Sequence, residues 1–559
     1  MTKTKCAIKL AGGFLLGIGG ISGPIGTVGT VGFMPQAQAQ GQAQAQARAQ
    51  PQEPRVTVEQ FSVSGNTLLP AEALDAALAP FKGERTLSEL QQAAMAVQAL
   101  YRDAGYGAVV AYVPPQSGAP GRATIVVLEG RVSKVYISGN KQFSDDNIRR
   151  AVPQLREGQT PQIRRIDGQI QLANENPARQ LSLALEPGTN AGEVEARVTV
   201  SELPASRWSL ALDNTGNEST GRLRASIGYQ HAALWDLDHQ LSLQLQLAPD
   251  ELSAVAIVSA GYRIPFYNAG LMLDLFGAYS DVEGGTANTP AGPLQFSGKG
   301  EVLGMRLTRP FERIGDIDHR FSVGLDRRLY LNDCSIVGLP AGACGSAGAS
   351  VAVHPLSFDY QWRREGERPY GFNVGYSHNL DLGGKYSDAA DFEAVRPGAV
   401  VRYDLFRLGA FASMSLPAAW QLQARASGQW TGDALVPGEQ FGIGGANAVR
   451  GFTEREITGD SGVVASVELY TPNLLGFRDD TTTALRLLGF ADAGKAFNQL
   501  DTPCRVGESR CSLSSVGIGA RFGYGALQFR LDVAHALKNA TTTQSGDTRA
   551  HFQAIYSFQ

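Results

Sequence analysis

A lone arginine and a lone aspartate occupy two glycine-rich stretches that lie far from both termini. Arg450 lies in GGANAVRGF, and Asp492 lies in GFADAGKAF. A guanidinium is always charged and carries five donors in a rigid fork, so it requires a fixed acceptor such as a carboxylate. The glycines around it let the backbone turn sharply and approach other segments closely. Arg450 therefore needs an acceptor, and the downstream carboxylate of Asp492 is a candidate for it.

Sequence motifs for catalysis or phosphate binding are absent. The chain contains no GxSxG, no HExxH and no GxxxxGK[ST] stretch. His535 and His551 are interpreted as ordinary loop or barrel residues, and Asp145 and Asp146 as part of a helix start after Ser144. The sequence therefore predicts no enzyme, no catalytic residues, no cofactor and no metal site.

Composition narrows the class of protein further. The chain has 559 residues, 65 of them glycine, and a net charge of −4. This charge argues against nucleic acid as a partner. After residue 40, no apolar run is long enough for a transmembrane helix.

The N-terminus has the features of a secretory signal. Lys3, Lys5 and Lys9 precede an uncharged stretch from Leu10 to Met34, and Ala37-Gln38-Ala39 is a cleavage site. We predict a signal peptide at 1–39 and a flexible, low-complexity segment at 40–54. A retained membrane anchor is the alternative.

Two segments after residue 55 repeat one pattern. VEQFSVSGNTLLPAEAL and SKVYISGNKQFSDDNI each contain an alternating strand, then Ser-Gly-Asn, then a helix start. The elements that follow give a β-α-α-β-β order in both copies. We predict two small α+β domains, at 55–131 and 132–204.

From residue 205 onward the sequence alternates between apolar and polar residues. HQLSLQLQL places leucines on one face of a strand and glutamines or serine on the other. Long strands of this kind with aromatic ends are typical of a membrane barrel around a polar lumen. We predict a transmembrane β-barrel at 205–559 with sixteen strands. Arg450 then lies in a long loop, about 431–460, between the eleventh and twelfth strands, and Asp492 lies on the thirteenth.

Cysteine positions and the last strand agree with export into an oxidising compartment. Cys334 with Cys344 and Cys504 with Cys511 form two close pairs within predicted extracellular loops, which favours two local disulfides. A metal site is the alternative for these thiols, but neither pair has a nearby histidine or C-x-x-C spacing. The final strand carries Phe552, Tyr556 and Phe558 on one face.

The Val-Arg-Gly-Phe loop and the Phe-x-Asp-x-Gly strand resemble the paired motifs of the POTRA-barrel superfamily. Two POTRA-like repeats before a sixteen-stranded barrel resemble two-partner secretion transporters, the TpsB family of haemolysin and haemagglutinin secretion proteins. This resemblance implies that the long loop folds back into the barrel and that Arg450 pairs with Asp492. It also implies that nearby residues of the two motifs shape the contact between Arg450 and Asp492; these residues are Val449, Gly451, Phe452, Phe490 and Gly494.

The same resemblance implies an outer-membrane pore of a Gram-negative bacterium with POTRA domains in the periplasm. Its expected partners are a secreted, TpsA-like exoprotein, outer-membrane lipid, and the barrel assembly machinery and periplasmic chaperones during biogenesis. The aromatic last strand resembles the signal read by that machinery, although Gln559 follows the final aromatic residue. The short segment before residue 55 leaves little room for an N-terminal plug helix. A barrel assembly factor and a passive porin or receptor barrel are the alternative functions.

Overall fold

The computed structural model describes residues 54–116, 121–217, 221–251, 256–281, 285–289, 292–296, 299–331, 346, 349–476 and 483–559. The predicted signal peptide, residues 40–53 of the low-complexity segment and the Cys334–Cys344 pair lie outside these residues. The chain forms two compact units. One unit includes residues 54–131 and 187–194, and the other includes residues 132–186 and 195–559.

The first repeat, here the first module, is a four-stranded sheet with two helices. Its elements are β1 (Arg55–Ser64), α1 (Ala71–Leu78), β2 (Gly83–Thr86), α2 (Leu87–Asp103), β3 (Val109–Tyr112) and β4 (Gly121–Glu129). The sheet order is β2-β1-β4-β3, and the short strand β2 is an addition to the predicted β-α-α-β-β order. Helix α2 begins at a capping box made by Thr86 and Glu89, and it buries Leu90, Val97 and Tyr101 against the sheet.

The second repeat, here the second module, has the predicted β-α-α-β-β order. Its elements are β5 (Arg131–Ser138), α3 (Asp145–Ala151), α4 (Ile163–Ala173), β6 (Arg179–Pro187) and β7 (Glu193–Glu202), with sheet order β5-β7-β6. Ser144 caps α3 by accepting a hydrogen bond from the backbone N–H of Asn147.

The shared Ser-Gly-Asn motif has one physical basis in both modules. Gly65 and Gly139 have φ of +85° and +89°, and a Cβ on either would collide with a backbone carbonyl oxygen, that of Val127 or Val200. Only glycine fits a position with a left-handed φ and so little space. The repeat is therefore a backbone requirement of the turn between strand and helix.

Sixteen antiparallel strands close into a barrel, as the sequence predicts. The closing contact pairs the first barrel strand with the last, with Trp208 opposite Phe558. The barrel strands are β8 (Ser206–Asp213), β9 (Arg224–Leu234), β10 (His239–Leu247), β11 (Ala256–Phe266), β12 (Leu271–Ser280), β15 (Lys299–Pro310), β16 (Ile317–Leu331), β17 (Val351–Val353) with β18 (Pro355–Arg364), β19 (Tyr370–Asn379), β20 (Asp404–Ser415), β21 (Gln421–Trp430), β24 (Ser461–Tyr470), β25 (Thr483–Phe497), β26 (Arg510–Tyr524), β27 (Leu527–Ala536) and β28 (Thr548–Phe558).

The connections between barrel strands contain further short elements. In the described parts of these connections lie β13 (Gly285–Thr289) with β14 (Gly292–Phe296), α5 (Ala389–Val395), and β22 (Phe441–Gly442) with β23 (Thr458–Gly459). Within the wall itself, the eighth strand is interrupted at His354, so that β17 and β18 both pair with β16. Among the helices of the described residues, none combines the length and hydropathy needed for a membrane span.

The barrel wall follows the alternation read from the sequence. Leu243 and Val258 on neighbouring strands are exposed on the outer face. The alternate positions of the same two strands face inward and include buried polar residues such as Gln246 and Ser259. An apolar outer face and a polar inner face suit a wall between lipid and water. The eleventh and twelfth strands end and begin at Trp430 and Ser461, so the long loop covers residues 431–460 as predicted.

Candidate functional site

The long loop, residues 431–460, folds into the barrel and places Arg450 in a fully buried position. Arg450 Nε lies 2.7 Å from Asp492 Oδ2, and Nη2 lies 2.7 Å from Oδ1 of the same carboxylate. The backbone N–H of Arg450 also donates to Asp492, at 3.1 Å. This is the bidentate geometry that matches a planar guanidinium to a carboxylate, with one main-chain bond in addition.

The Asp492 side chain reaches Arg450 because of its place on the thirteenth strand. Along β25, alternate residues from Leu488 to Ala496 face inward and are buried, and Asp492 is 2% exposed. Two positions earlier on the same face, Phe490 presents its ring to the guanidinium, whose carbon lies 3.5 Å from the ring centroid. The cation is therefore stacked on one face and paired at its edge.

The predicted supporting residues meet at the same place. Gly494 accommodates Val449, since a Cβ at Gly494 would lie 2.9 Å from Val449 Cγ2. Gly451 has φ of +94°, a conformation that favours glycine and turns the chain between the charged and apolar contacts. Val449 and Phe452 are fully buried in one apolar cluster, whose other members include Ile443 and Ile457 of the loop and Leu513 of the next strand.

Two further carboxylates surround Arg450, and sequence reasoning missed both. Glu468 Oε1 lies 2.7 Å and Asp532 Oδ1 lies 3.5 Å from Arg450 Nη1. Glu468 is on the twelfth strand and Asp532 on the fifteenth, and both are buried. Each is an inward charge within an alternating strand, which is the same signal that identified Asp492. The site is thus one arginine among three acidic residues of three different strands.

The interpretation of His551 as an ordinary loop or barrel residue is corrected by the structure, because His551 contacts the long loop. Its Nε2 accepts a hydrogen bond from the backbone N–H of Gly451, at 3.0 Å. His551 lies on the last barrel strand, so the loop tip also contacts the strand that closes the barrel. A single histidine in a strand gives no sequence signal for a partner one hundred residues away.

The long loop is held on the opposite wall as well. Glu439, near the start of the loop, is 2% exposed and accepts hydrogen bonds from Arg328 Nη1 at 2.9 Å and from the Tyr330 hydroxyl at 2.7 Å. Both partners are on the seventh strand, whereas Asp532 is on the fifteenth. The loop therefore lies across the lumen, between strands on opposite sides of the sixteen-stranded wall.

Two more carboxylates of the loop anchor it to neighbouring loops. Glu456 accepts hydrogen bonds from the backbone N–H groups and hydroxyls of Thr542 and Thr543, at 2.7–2.9 Å, in the loop before the last strand. Asp460 pairs with Arg396, which follows α5, with a distance of 2.9 Å between Nη2 and Oδ2. Loops between different strand pairs are thus joined through the ends of the long loop.

The remaining predicted residues occupy two other places. A disulfide joins Cys504, in the loop after the thirteenth strand, to Cys511, which lies at the start of the fourteenth strand and not in the loop as predicted. Phe552, Tyr556 and Phe558 share a face of the last strand, and the rings of Tyr556 and Phe558 stack 5.7 Å apart. Neither group contacts Arg450. In the ranges that the structure describes, no cluster of three or more metal-ligating residues occurs.

Comparisons with known proteins agree with this architecture. The model of a family described as haemolysin secretion/activation protein ShlB/FhaC/HecB matches residues 192–522, and that of a POTRA domain, ShlB-type, matches residues 56–130.

Individual relatives match most of the chain at low identity. The outer membrane transporter CdiB of Dickeya dadantii (strain 3937) is 24% identical over 434 residues, which are 75% of this chain and 73% of that protein. The heme/hemopexin transporter protein HuxB of Haemophilus influenzae (strain 86-028NP) is 21% identical over 469 residues, or 82% and 79% of the two chains.

Two solved structures have the same fold. CdiB from Escherichia coli superposes with a TM-score of 0.73 at 20% identity and covers 92% of this chain and 93% of that one. CdiB from Acinetobacter baumannii superposes with a TM-score of 0.67 at 18% identity and covers 90% of each. With a family model matching more than half of its length, the chain belongs to the haemolysin secretion/activation protein ShlB/FhaC/HecB family, which confirms the resemblance inferred from its motifs.

Proposed function

We propose that the protein is an outer-membrane translocation pore that takes an unfolded partner exoprotein from the periplasm and exports it to the cell surface or medium. The observation that carries this proposal is the long loop docked across a polar lumen in a chain of the secretion/activation family. A pore whose interior is closed by its own loop can open for a substrate and reseal afterwards. A passive porin needs no such closure.

Recognition of the substrate is assigned to the periplasmic modules. The sheet of the first module ends in the short edge strand β3, where Val110 and Tyr112 are exposed. An unfolded polypeptide can pair with an open sheet edge through backbone hydrogen bonds, while exposed apolar side chains provide selectivity. The second module, proposed as a second POTRA domain, presents the edges of β5 and β6.

The pair of Arg450 and Asp492 is proposed as the lock that holds the loop in its closed position. Burial makes each charge depend on its partner, so the docked loop is a defined state. When the lock is released, the Arg450 guanidinium would leave the barrel wall and enter the water-filled lumen, where water can solvate both Arg450 and Asp492. Transport should therefore be more sensitive to Arg450 than folding is.

Biogenesis involves further proposed partners. The outer face of the last strand presents Phe552, Tyr556 and Phe558 for recognition by the barrel assembly machinery, after delivery by periplasmic chaperones. The disulfide at Cys504 and Cys511 fits assembly in an oxidising compartment.

A comparison of exported and outer-membrane proteins, with and without the gene, tests the proposed function. Cells carrying the wild type, Arg450→Ala or Arg402→Ala provide the matched set, because Arg402 is a loop arginine that is 72% exposed and lies 3.5 Å from Asp381. Loss of one large exoprotein, in the deletion strain and with Arg450→Ala but not with Arg402→Ala, is the expected result. A fall in many outer-membrane barrels would instead identify an assembly factor and overturn the proposal.

A further inference from the structure

We propose that the protein binds one glycerophospholipid from the inner leaflet of the outer membrane, at the junction of the second module and the barrel. A cavity of about 890 Å³ lies there, between α3 and the periplasmic ends of the third and fourth barrel strands. Its lining combines an apolar wall from the barrel with a cationic wall from the module. The proposal concerns a lipid site and is independent of the transport function proposed above.

The barrel side of the cavity continues the surface that faces lipid. Ile264 and Phe266 are outward positions at the periplasmic end of the fourth strand, and Leu237 lies in the turn before the third. Phe266 and Leu237 are both more than 40% exposed. Next to them, the Trp235 indole N–H donates to the Tyr262 hydroxyl at 3.1 Å. Such aromatic pairs mark the level of lipid headgroups.

The module side supplies three guanidinium groups. Arg149, Arg150 and Arg156 are exposed and line the cavity. Arg150 donates to the backbone oxygen of Asp236 at 2.5 Å, and Arg156 Nε donates to that of Pro153 at 2.9 Å. The Arg149 side chain makes no hydrogen bond or ion pair with any residue in the described ranges.

Two carboxylates on the module side and two groups at the barrel turn complete the charged lining. Asp146 and Glu157 face the cavity beside the arginines, and Asp238 and His239 line it from the turn. Asp238 is already engaged, because its Oδ2 lies 2.6 Å from both Arg179 Nη2 and the Tyr267 hydroxyl. Arg150 is engaged as well, because its Nη2 lies 3.7 Å from Asp236 Oδ2. The positive charge of this lining that is not in an ion pair with a described residue therefore comes from Arg149 and Arg156.

A buried polar cluster fixes the two walls relative to each other. Arg179 of the second module is 1% exposed and binds Asp238 and Tyr267 of the barrel together with Asn147 of α3. Asn147 Nδ2 also donates to the backbone oxygen of Asp236 at 2.8 Å. Breaking a buried ion pair of this kind is costly, so the cavity is a preformed feature.

These walls suit one lipid class. Phosphate is the group that arginine binds best in a bidentate manner, and Arg149 and Arg156 have donors to spare. Acyl chains of the same molecule can continue along Ile264 and Phe266 into the bilayer. Basic pockets beside membrane-spanning elements bind phospholipid headgroups in this way. The neighbouring carboxylates can additionally accept the ammonium group of phosphatidylethanolamine, which phosphatidylglycerol lacks.

The test is retention of lipid by the purified full chain. Nanodiscs of phosphatidylcholine containing a few per cent of phosphatidylglycerol or phosphatidylethanolamine would be used, followed by native mass spectrometry after release. The wild type is compared with Arg149→Ala/Arg156→Ala and with the control Arg164→Ala/Arg165→Ala. This control removes the same charge from exposed positions of α4 that do not line the cavity. Heat-modifiable gel migration verifies that each barrel is folded.

We expect the wild type and the control to retain one lipid, and the cavity variant to lose it by at least tenfold in apparent affinity. Retention of phosphatidylethanolamine above phosphatidylglycerol would assign a role to Asp146 and Glu157 within the same proposal. Equal retention by all three proteins would overturn it. Displacement of the lipid by millimolar inorganic phosphate alone would also overturn it, as a simple anion site. A photo-cross-linker at Leu237 that captured a polypeptide in cells would contradict a lipid occupant.

Discussion

Replacing Arg450 by alanine should undock the long loop while leaving the barrel closed. The guanidinium makes two bonds of 2.7 Å to Asp492 and lies 2.7 Å from Glu468, all with buried groups. Asp532 keeps Arg521 and Arg530, each at 2.8 Å, and Glu468 keeps the Tyr470 hydroxyl at 2.6 Å. Glu468 also keeps Arg425 Nη2 at 4.0 Å, so among the described residues Asp492 alone of the three carboxylates is left without a cation in an ion pair.

The magnitude follows from that orphaned carboxylate. Removing one partner of a buried ion pair costs about 3–5 kcal/mol, because the other charge stays buried without compensation. At about 1.4 kcal/mol for each factor of ten, the ratio of undocked to docked loop should rise by between about 10² and 10⁴. Adding Asp492→Asn to Arg450→Ala removes the stranded charge, so it should lower the ratio of undocked to docked loop again without recovering export.

Amide hydrogen exchange of residues 444–452 measures this ratio directly. In the wild type these amides exchange only when the loop opens, so their rate reports the opening equilibrium. Arg450→Ala should accelerate exchange by the factor given above. Arg402→Ala should change it no more than a few-fold, because an exposed ion pair contributes about 0–1 kcal/mol. Exchange in Arg450→Ala within about threefold of the wild type would show that the Arg450–Asp492 pair does not hold the loop in its docked state.

Three further predictions concern contacts away from the guanidinium. Gly494→Ala should destabilise the docked loop by about 1–3 kcal/mol, because the added methyl group overpacks against Val449 Cγ2. Adding Val449→Ala should suppress this defect in the same hydrogen-exchange experiment, and a defect that persists would contradict the packing argument. Burial raises the pKa of Glu456, but hydrogen bonds to its carboxylate, led by those from Thr543, outweigh burial and lower the pKa to about 2. The ionised Glu456 carboxylate therefore stabilises the fold fully above about pH 4.5, and this stabilisation is lost as the pH falls toward 2. The melting temperature gap between the wild type and Glu456→Gln should therefore narrow only below about pH 4.5, and a gap that narrows at pH 7 would count against this assignment. Gly65→Ala should unfold the first module, as measured by thermal denaturation, whereas Gly83→Ala should cost only about 1–2 kcal/mol, because Gly83 has φ of +99° but open space around it. Equal losses of stability in the two variants would contradict the importance of the close approach between Gly65 and the Val127 carbonyl oxygen.

Elements with a strict period were predictable from the sequence. The sixteen strands follow from alternation of side chains, and the long loop at 431–460 follows from where the alternation stops. The eighth strand shows the limit of this reasoning, because its interruption at His354 leaves the apolar pattern on both sides intact. Strand β2 was missed because Gly83–Thr86 is too short for any period to show.

The candidate site was predictable only in part. Arg450 and Asp492 stand out as single charges among glycines, and a family resemblance supplied their pairing. Glu468 and Asp532 carry the same local signal, but the sequence alone does not say which inward charges lie at one depth of the barrel. His551 and Glu456 depend on contacts with residues about ninety to one hundred positions away, which arise from strand register and loop docking.

The proposed export requires that a polypeptide pass through the lumen of this barrel. A photo-cross-linker at Ser427, an inward and exposed position of the eleventh strand, probes the lumen, and one at Val467, exposed on the outer face of the twelfth strand, is the matched control. In cells that export the partner, Ser427 should give an adduct with one large polypeptide, and Val467 should give none. An exporting cell without an adduct at Ser427, or with equal adducts at both positions, would contradict passage through the lumen.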